Sequence, residues 1–260
     1  MRNSPYVQLA REINEEVLAN SSLALILADA DRASVELENF VRGYLTLSTP
    51  GISTDDEILN WTFSDVISDL RAAAWNAGSG HYKTAAGALR SALEMAIVAL
   101  YFQHRENLHT GPGYNPAFAN WDQGKSDTPN WGTTKPHLAS RSTFKQFAAD
   151  TGYQVLELAH DCFGVLCSFT HSRAFDPTLG KHSNTMWMIG EAPARDDEVF
   201  RLVMDLFSQT VSWIATVWLV AFPPLLDAAS GRTVARDEYP IRLFKGAEAE
   251  SALVAAGWTP

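Results

Sequence analysis

Hydrophobic and polar positions alternate at helical spacing along most of the chain. An α-helix completes a turn roughly every 3.6 residues, so apolar side chains three and four positions apart share one face and can be buried together. This pattern predicts an opening helix from Pro5 and a second helix that ends near Thr46, before the helix-breaking pair Pro50-Gly51. The N-terminal part of the chain is therefore expected to be helical.

A capping pattern marks the start of a third helix. Thr54 and Glu57 stand three positions apart, so the hydroxyl and the carboxylate can each accept a hydrogen bond from a backbone N–H group that has no partner within the helix. Apolar residues then continue at helical spacing until Gly78-Ser79-Gly80, where the predicted helix closes.

The segment from residue 81 to residue 105 predicts a buried helix. Between Lys83 and His104 its only charged residues are Arg90 and Glu94, and nearly all the others are small or apolar. A helix that is apolar almost all round is normally surrounded by other elements. Because charges lose hydration energy when they are buried, the pair is unusual in such a helix.

Two more long helices are predicted in the C-terminal half. Thr143 and Gln146 form a second capping box, which opens a helix that continues to about Thr170. The acidic residues 196–198 would be stabilised by the positive N-terminal end of a helix dipole. They therefore predict the start of a helix that continues to about Ala221.

Two segments lack this periodicity. Residues 107–141 are rich in glycine and proline and predict a long irregular loop, which the aromatic side chains Phe118, Trp121 and Trp131 would hold against the body. Residues 227–260 predict a loosely attached C-terminal tail with one short helix at 247–256. The expected fold is all-α, with residues 1–226 forming a single bundle of five to six long helices.

Composition restricts the possible partners. The chain has 260 residues, of which 46% are hydrophobic, enough for a sizeable core. Its formal net charge of −10 repels phosphate backbones and anionic membranes over most of the surface. Any contact with nucleic acid must therefore be local.

The same sequence features favour a cytoplasmic protein. Cys162 and Cys167 lie five positions apart on one predicted helix, where they cannot easily form a disulfide. The N-terminus lacks the apolar stretch of a secretory signal. The strongest membrane candidate, residues 211–226, is shorter than the roughly 20 apolar residues that a span needs. We expect it to be a core helix, with no membrane association.

The first candidate for chemistry is the Arg90–Glu94 pair. The two residues are four positions apart and share a helical face that continues to Tyr101. An arginine carries five N–H donors in a fixed plane and can hold a carboxylate, a phosphate or carbonyl oxygens. The alternative is that Arg90 only bridges helices inside the bundle.

The second candidate is a stripe on the helix that ends near Thr170. His160, Gly164, Cys167 and His171 share one face of that helix. His171 lies at the negative end of the helix dipole, where acid–base chemistry is favoured, and Arg173 follows it in the chain. The alternatives are an ordinary capping histidine and a stripe of core residues.

Other chemistries are not indicated. Cys167 and His171, together with Glu94 or His160, could in principle ligate a metal, but the sequence has no paired Cys or His signature of a zinc site. Gly78-Ser79-Gly80 lacks the Lys-Ser/Thr of a phosphate-binding loop. We therefore expect neither a metal nor an organic cofactor.

Three stretches resemble a known family. The run from Gly80 to Glu94 (GHYKTAAGALRSALE), the Trp121-x-x-Gly124 pattern and the run from Leu166 to Ser172 (LCSFTHS) resemble bacterial helical proteins of the wider HEPN-like group, over about residues 78–175. The resemblance implies a helical bundle, often a homodimer, from a bacterial defence, toxin–antitoxin or stress system.

Active members of that group are metal-independent ribonucleases that use an Arg and a following His separated by four to six residues. This chain departs from that motif, because three residues separate Arg105 from His109 and eight separate Arg173 from His182. A catalytic site would instead have to combine Arg90, His171 and Arg173 from different helices.

The resemblance leads to two functional hypotheses. In the first, the chain is a ribonuclease effector or the partner of one, with Glu94, Tyr101 and His160 contributing to binding. In the second, it is a non-catalytic module that binds a protein or a small anion.

Overall fold

The computed structural model describes residues 5–48, 57–106, 116–170, 193, 195–221, 251, 252 and 255. Within these ranges the regular structure is α-helical and no strand occurs, which confirms the all-α class. The helices are α1 (Pro5–Ala19), α2 (Ser21–Ser48), α3 (Glu57–Gly78), α4 (Tyr82–Glu106), α5 (Pro116–Asp122), α6 (Trp131–Ala139), α7 (Ser142–Thr151), α8 (Val155–Thr170) and α9 (Asp197–Ala221).

Helices α4 and α9 lie at the centre of the bundle. Every residue of α4 from Ala96 to Phe102 is buried, and so is every residue of α9 from Thr210 to Ala221. Helices α3 and α8 pack against both of them, and α2 packs against α3 and α9. The long helices in the described part are α1, α2, α3, α4, α8 and α9, in agreement with the five to six expected from the periodicity.

The start of α9 is fixed by Asp196. Its Oδ1 accepts hydrogen bonds from the backbone N–H groups of Glu198 and Val199, at 3.0 Å each, which satisfies donors that the first helical turn leaves open. Asp196 also joins α9 to α4, because the Tyr82 hydroxyl donates to its carbonyl oxygen and accepts from its N–H group, both at 3.0 Å. The helix start predicted from the acidic run is confirmed.

Residues 107–141 are not irregular throughout, contrary to the prediction. Within this segment the structure contains α5 and α6, and residues 107–115 lie outside the described part. Pro116 occupies the first position of α5, where the missing N–H group of proline costs no helical hydrogen bond. The Asn130 side chain caps α6 by accepting a hydrogen bond from the Thr133 N–H group at 3.1 Å. Gly124 and Pro129 lie between the two short helices, whereas Pro116 and Pro136 lie within them.

The expected packing of this segment against the body is confirmed for its described aromatic residues. Phe118 and Trp121 contact the Phe102 ring of α4, with ring centroids 5.6 and 5.3 Å apart. Trp131 is buried against Phe163 of α8 at 5.2 Å. The apolar rings thus hold the segment against the bundle.

The helix predicted to continue from Thr143 to about Thr170 is two helices, so that prediction is wrong. Helix α7 ends at Gly152, whose positive φ of 78° is readily adopted only by glycine, and α8 begins at Val155. Thr143 does not cap α7 either, because Arg141 occupies the N-cap position and makes no side-chain capping bond. The apolar spacing continues across the break, so periodicity alone did not reveal it.

Within the part of the chain that the structure describes, two helical segments are long and apolar enough to cross a membrane, judged by length and composition only. They are Tyr82–Gln103 and Asp197–Ala221, and 67% and 83% of their most apolar windows are buried inside the bundle. Core helices of soluble proteins meet the same criteria, so this indication is weak. The described part of the 211–226 segment is buried, as expected for a core helix.

Some predictions fall outside the described residues. Thr54 of the first capping box is one of these, although α3 does begin at Glu57. The second helix extends two residues beyond Thr46, and α3 ends at Gly78 as predicted. Of the C-terminal tail, Ala252 is helical and fully buried in the core, so the tail is attached to the bundle at this residue.

Candidate functional site

Helices α4 and α8 approach each other closely in antiparallel orientation. A Cβ atom added to Gly87 would lie 3.5 Å from Thr170 Cγ2 at the end of α8. One turn further along α4, the Arg90 Cζ atom lies 5.2 Å from the centroid of the Phe163 ring. The α4 face that carries Arg90 is thus placed against α8.

Arg90 and Glu94 form a loose ion pair at the edge of the bundle. Arg90 Nη2 and Glu94 Oε2 are 3.8 Å apart, which is beyond hydrogen-bonding distance, and the two side chains are 30% and 26% exposed. The Nε–H group of Arg90 is shielded from solvent and bonds to none of the described residues. The expected ion pair is present, but it lies partly exposed at the edge of the bundle and not in the interior, where it was expected, and its 3.8 Å distance leaves Nη2 of Arg90 without a hydrogen bond to Glu94.

The Phe163 ring orients the guanidinium group. A cation 5.2 Å from a ring centroid is within the range of a cation–π interaction, which contributes about 0.5–1 kcal/mol at a partly exposed site. A contact with a ring supplies no oxygen acceptor, so it does not replace the oxygen partners that the N–H donors of a guanidinium can bind.

The His160 ring is stacked on Phe163, with ring centroids 6.3 Å apart. Its Nδ1 is 3.4 Å from the Nζ atom of Lys135 on α6, and this ammonium group also forms a 2.7 Å ion pair with Glu157. An ammonium group can only donate hydrogen bonds, so Nδ1 accepts and the ring proton resides on Nε2. We refer to Arg90, Glu94, Trp131, Lys135, Glu157, His160 and Phe163 as the Arg90 cluster.

Tyr101 does not belong to this cluster. It is 6% exposed and packs edge-on against His137 of α6, with ring centroids 4.9 Å apart. His137 Nε2 in turn lies 3.1 Å from Arg141 Nη2, which must be the donor. The binding role expected for Tyr101 therefore has no support from its position.

The described residues include neither His171 nor Arg173, so the roles expected for these two residues stay predictions. Thr170, which directly precedes His171 in the chain, lies against Gly87, three residues before Arg90. The end of α8 is therefore next to the α4 face that carries Arg90.

The predicted stripe on α8 follows the solvent-facing edge of that helix. His160 and Cys167 are half-buried and Gly164 is exposed, and Cys167 packs against the core, so the stripe lies at the boundary between core and solvent. The core positions of α8 include Ala159, Leu166 and Phe169. The stripe thus runs beside Arg90 and Phe163.

Four members of the cluster were not predicted as site residues: Trp131, Lys135, Glu157 and Phe163. Phe163 lies three positions after His160, a spacing that places the two rings close together on a helix. That signal was available in the sequence. The approach of Lys135 depends on how α6 packs against α8, which no local pattern specifies.

Other ionisable groups nearby do not suggest further chemistry. Burial raises the pKa of Asp69, a shift that a hydrogen bond from Ser91 opposes and the charge of Asp65 reinforces. Burial likewise raises the pKa of Cys162 to about 11, although a hydrogen bond with Thr210 lowers it, so this thiol is not a nucleophile near neutral pH. Among the described residues, no three His, Cys, Asp or Glu side chains are placed to hold a metal ion.

Gly164 gives a direct test of the open space beside the cluster. No atom lies within 4 Å of a Cβ added there, and glycine inside a helix costs roughly 0.5–1 kcal/mol relative to alanine. We expect Gly164→Ala to raise the free energy of unfolding by about that amount in a denaturant titration. Gly152→Ala, which forces alanine into a positive φ, should lower it instead. A loss of stability in Gly164→Ala would show that the space is occupied in the native protein.

No family model, no curated protein and no solved structure matches the chain. Support for a function therefore comes from the residues of the Arg90 cluster and from the resemblance noted in the sequence.

Proposed function

We propose that the chain is an HEPN-like ribonuclease effector, or the partner of one, that binds an RNA phosphate at Arg90 and needs no metal ion. The observation that carries this proposal is the state of Arg90. Its side chain is partly exposed, held on one face by Phe163 and paired with Glu94 only at 3.8 Å. Its Nε–H group is shielded from solvent and bonds to none of the described residues, whereas buried donors in proteins are normally paired.

Phosphate is the ligand that suits this arrangement best. A guanidinium group forms two parallel hydrogen bonds with phosphate oxygens, and these charge-assisted bonds are roughly twice as strong as neutral ones. Because the Glu94 carboxylate is not hydrogen-bonded to Arg90, a phosphate can displace it at little cost. The partial burial of Arg90 also reduces screening by solvent, which strengthens its attraction for an anion.

In the proposed reaction, His171 accepts the proton of a ribose 2′-hydroxyl group. The 2′-oxygen then forms a bond to phosphorus while the bond from phosphorus to the 5′-oxygen breaks, which yields a 2′,3′-cyclic phosphate. The departing 5′-oxygen takes up a proton from water and becomes a 5′-hydroxyl group. Arg90 and Arg173 stabilise the charge that develops on the phosphate oxygens. The contact of Thr170 with Gly87 supports this assignment, because it brings the end of α8 to within one turn of Arg90.

The resemblance supplies the proposed biological setting. It favours a cytoplasmic homodimer in a bacterial defence, toxin–antitoxin or stress system. The helical bundle is compatible with this setting, since the HEPN-like group shares that architecture, although a fold is shared by many functions.

The proposal is tested by incubating the purified chain with a mixed pool of RNA in excess EDTA. We expect cleavage to persist in EDTA and the products to carry 2′,3′-cyclic phosphate ends, because the mechanism uses only side chains. Binding of the RNA without cleavage would assign the Arg90 cluster to a non-catalytic anion-binding module. A chain that neither binds nor cleaves the RNA would reject the proposal. Cleavage that is abolished by EDTA would reject the metal-independent form of the mechanism.

A further inference from the structure

We infer that Trp131 is a positioning residue for Arg90. Its indole holds the Phe163 ring that contacts the guanidinium group, so the anion site is complete only while α6 is docked on α8. This inference rests on the proposed function and adds a dependence of the same site on α6. It follows from ring contacts that run from α6 through α8 to α4.

The position of the Arg90 guanidinium depends on the Phe163 ring. The Cζ atom of Arg90 lies over this ring, 5.2 Å from its centroid. Hydrogen bonds to described residues do not hold the group in place, because Nη2 is 3.8 Å from Glu94 and the Nε–H group bonds to none of them. A cation is attracted to the face of an aromatic ring and not to its edge. The preferred place of the guanidinium therefore moves when the ring moves.

The Phe163 ring is held in turn by two other rings. Trp131 packs against it with centroids 5.2 Å apart and planes at 44°, and His160 is stacked on it at 6.3 Å. Trp131 also contacts His160, at 5.1 Å between centroids. Because the phenylalanine side chain has no polar atom, its orientation is determined by packing alone. Removing the indole would leave a cavity into which the Phe163 ring can turn.

Trp131 belongs to a helix that is stable only in contact with the bundle. Helix α6 has nine residues and contains Pro136. An isolated helix shorter than about 12–15 residues is marginal in water, and a proline inside it removes a backbone hydrogen bond. Trp131, the first residue of α6, contacts α8 through Phe163 and His160. The docking of α6 and the position of the Phe163 ring are therefore coupled through Trp131.

The ring of Trp131, and not its N–H group, makes these contacts. The Nε1 atom is shielded from solvent and bonds to none of the described residues. A buried donor without an acceptor lowers stability, so the indole N–H group does not account for the position of Trp131. Phenylalanine would keep an aromatic ring against Phe163 and remove the unpaired N–H group. Trp131→Phe is therefore the matched variant for Trp131→Leu, which removes the ring altogether.

Coupling between α6 and the anion site is reciprocal. If docked α6 keeps Arg90 in position to bind, an anion bound to Arg90 makes the undocking of α6 less favourable. Backbone N–H groups of α6 should then exchange with deuterium more slowly when the ligand is bound.

The first test is an equilibrium titration of a labelled 2′-O-methyl RNA strand, which cannot be cleaved through the 2′-oxygen. Trp131→Leu should bind the strand about 3-fold to 5-fold more weakly than the wild-type chain, the factor expected when a cation–π contact is lost. Trp131→Phe should stay within about 2-fold of the wild type, because it keeps an aromatic ring. Trp75→Leu removes a tryptophan that is 68% exposed on α3 and should leave the affinity unchanged.

A double variant shows whether Trp131 acts through Arg90. In the Arg90→Gln background no guanidinium remains to be positioned, so Trp131→Leu should cause no further loss of affinity. A purely structural role would weaken binding by the same factor in both backgrounds. Thermal unfolding of every variant is measured alongside.

The second test is hydrogen–deuterium exchange of α6 in the wild-type chain and in Arg90→Gln, with and without a saturating concentration of the strand. We expect slower exchange of α6 when the wild-type chain binds the strand, and no change in Arg90→Gln. Because this test needs no substitution on α6, it decides the question if Trp131→Leu does not fold.

Four outcomes would overturn the positioning role while leaving the proposed function intact. Two concern Trp131→Leu: binding of the strand as in the wild type, or an equal loss of affinity with and without Arg90. The third is a Trp131→Phe variant that loses as much affinity as Trp131→Leu, which would assign a ligand contact to the indole N–H group. The fourth is unchanged exchange of α6 when the wild-type chain binds the strand. A wild-type chain that binds no strand would reject the proposed function as well.

Discussion

Replacing His171 by alanine is expected to lower the rate of RNA cleavage about 1000-fold. The imidazole is the group proposed to accept the proton of the 2′-hydroxyl, and general base catalysis contributes about 10²–10⁴-fold to such reactions. Alanine cannot accept a proton, so the attacking oxygen would remain a poor nucleophile. The rate is measured under single-turnover conditions, which separate the chemical step from RNA binding.

A matched histidine variant separates this effect from general damage. His81 lies just before α4, and its hydrogen bonds in the described part are made by its backbone: its N–H group donates to the Asn76 carbonyl at 2.8 Å, and its carbonyl accepts from the Ala85 N–H group at 2.9 Å. His81→Ala should therefore cleave RNA at the wild-type rate. If His171→Ala also cleaved at that rate, His171 would have no part in the mechanism.

The described helices could be predicted wherever the spacing of the apolar residues and a capping signal in the sequence indicated the same helix boundary. The start of α9 is an example, because an acidic run, a capping carboxylate and an apolar face all indicate the same boundary. The break between α7 and α8 was not predicted, because the apolar residues keep helical spacing on both sides of Gly152. The positive φ angle of Gly152 ends the helix at this point. A glycine in a sequence does not by itself show whether it adopts a positive φ angle.

The polar pair of the candidate site was predictable from one helix, and its surroundings were not. Arg90 and Glu94 are neighbours because α-helix geometry places residues four apart on one face. The contact of Arg90 with Phe163, and that of Lys135 with His160, both join different helices. Such contacts depend on helix packing and connection lengths, which local sequence patterns do not encode.

The second large effect is expected for Arg90→Gln, which should weaken RNA binding about 100-fold. Hydrogen bonds to charged groups contribute about 1.5–3 kcal/mol, and glutamine keeps an amide donor while removing the charge and the planar fork. The fold should be little affected, because partly exposed ion pairs like Arg90–Glu94 contribute less than about 1 kcal/mol. Cleavage at subsaturating RNA should fall at least as much.

Arg71 provides the matched control for the loss of one arginine. It lies on α3, where its Nη2 contacts Glu38 Oε2 of α2 at 3.2 Å, and its side chain is half exposed. Arg71→Gln therefore removes an ion pair of similar exposure that has no contact with the Arg90 cluster. Its affinity for RNA should equal that of the wild-type chain.

The most direct measurement is an equilibrium titration of a labelled, non-cleavable RNA strand with the wild-type chain, Arg90→Gln and Arg71→Gln, each first shown to be folded. If Arg90 is the phosphate anchor, the dissociation constant rises about 100-fold for Arg90→Gln and stays unchanged for Arg71→Gln. Equal binding by all three proteins would contradict a role for Arg90 in holding the ligand.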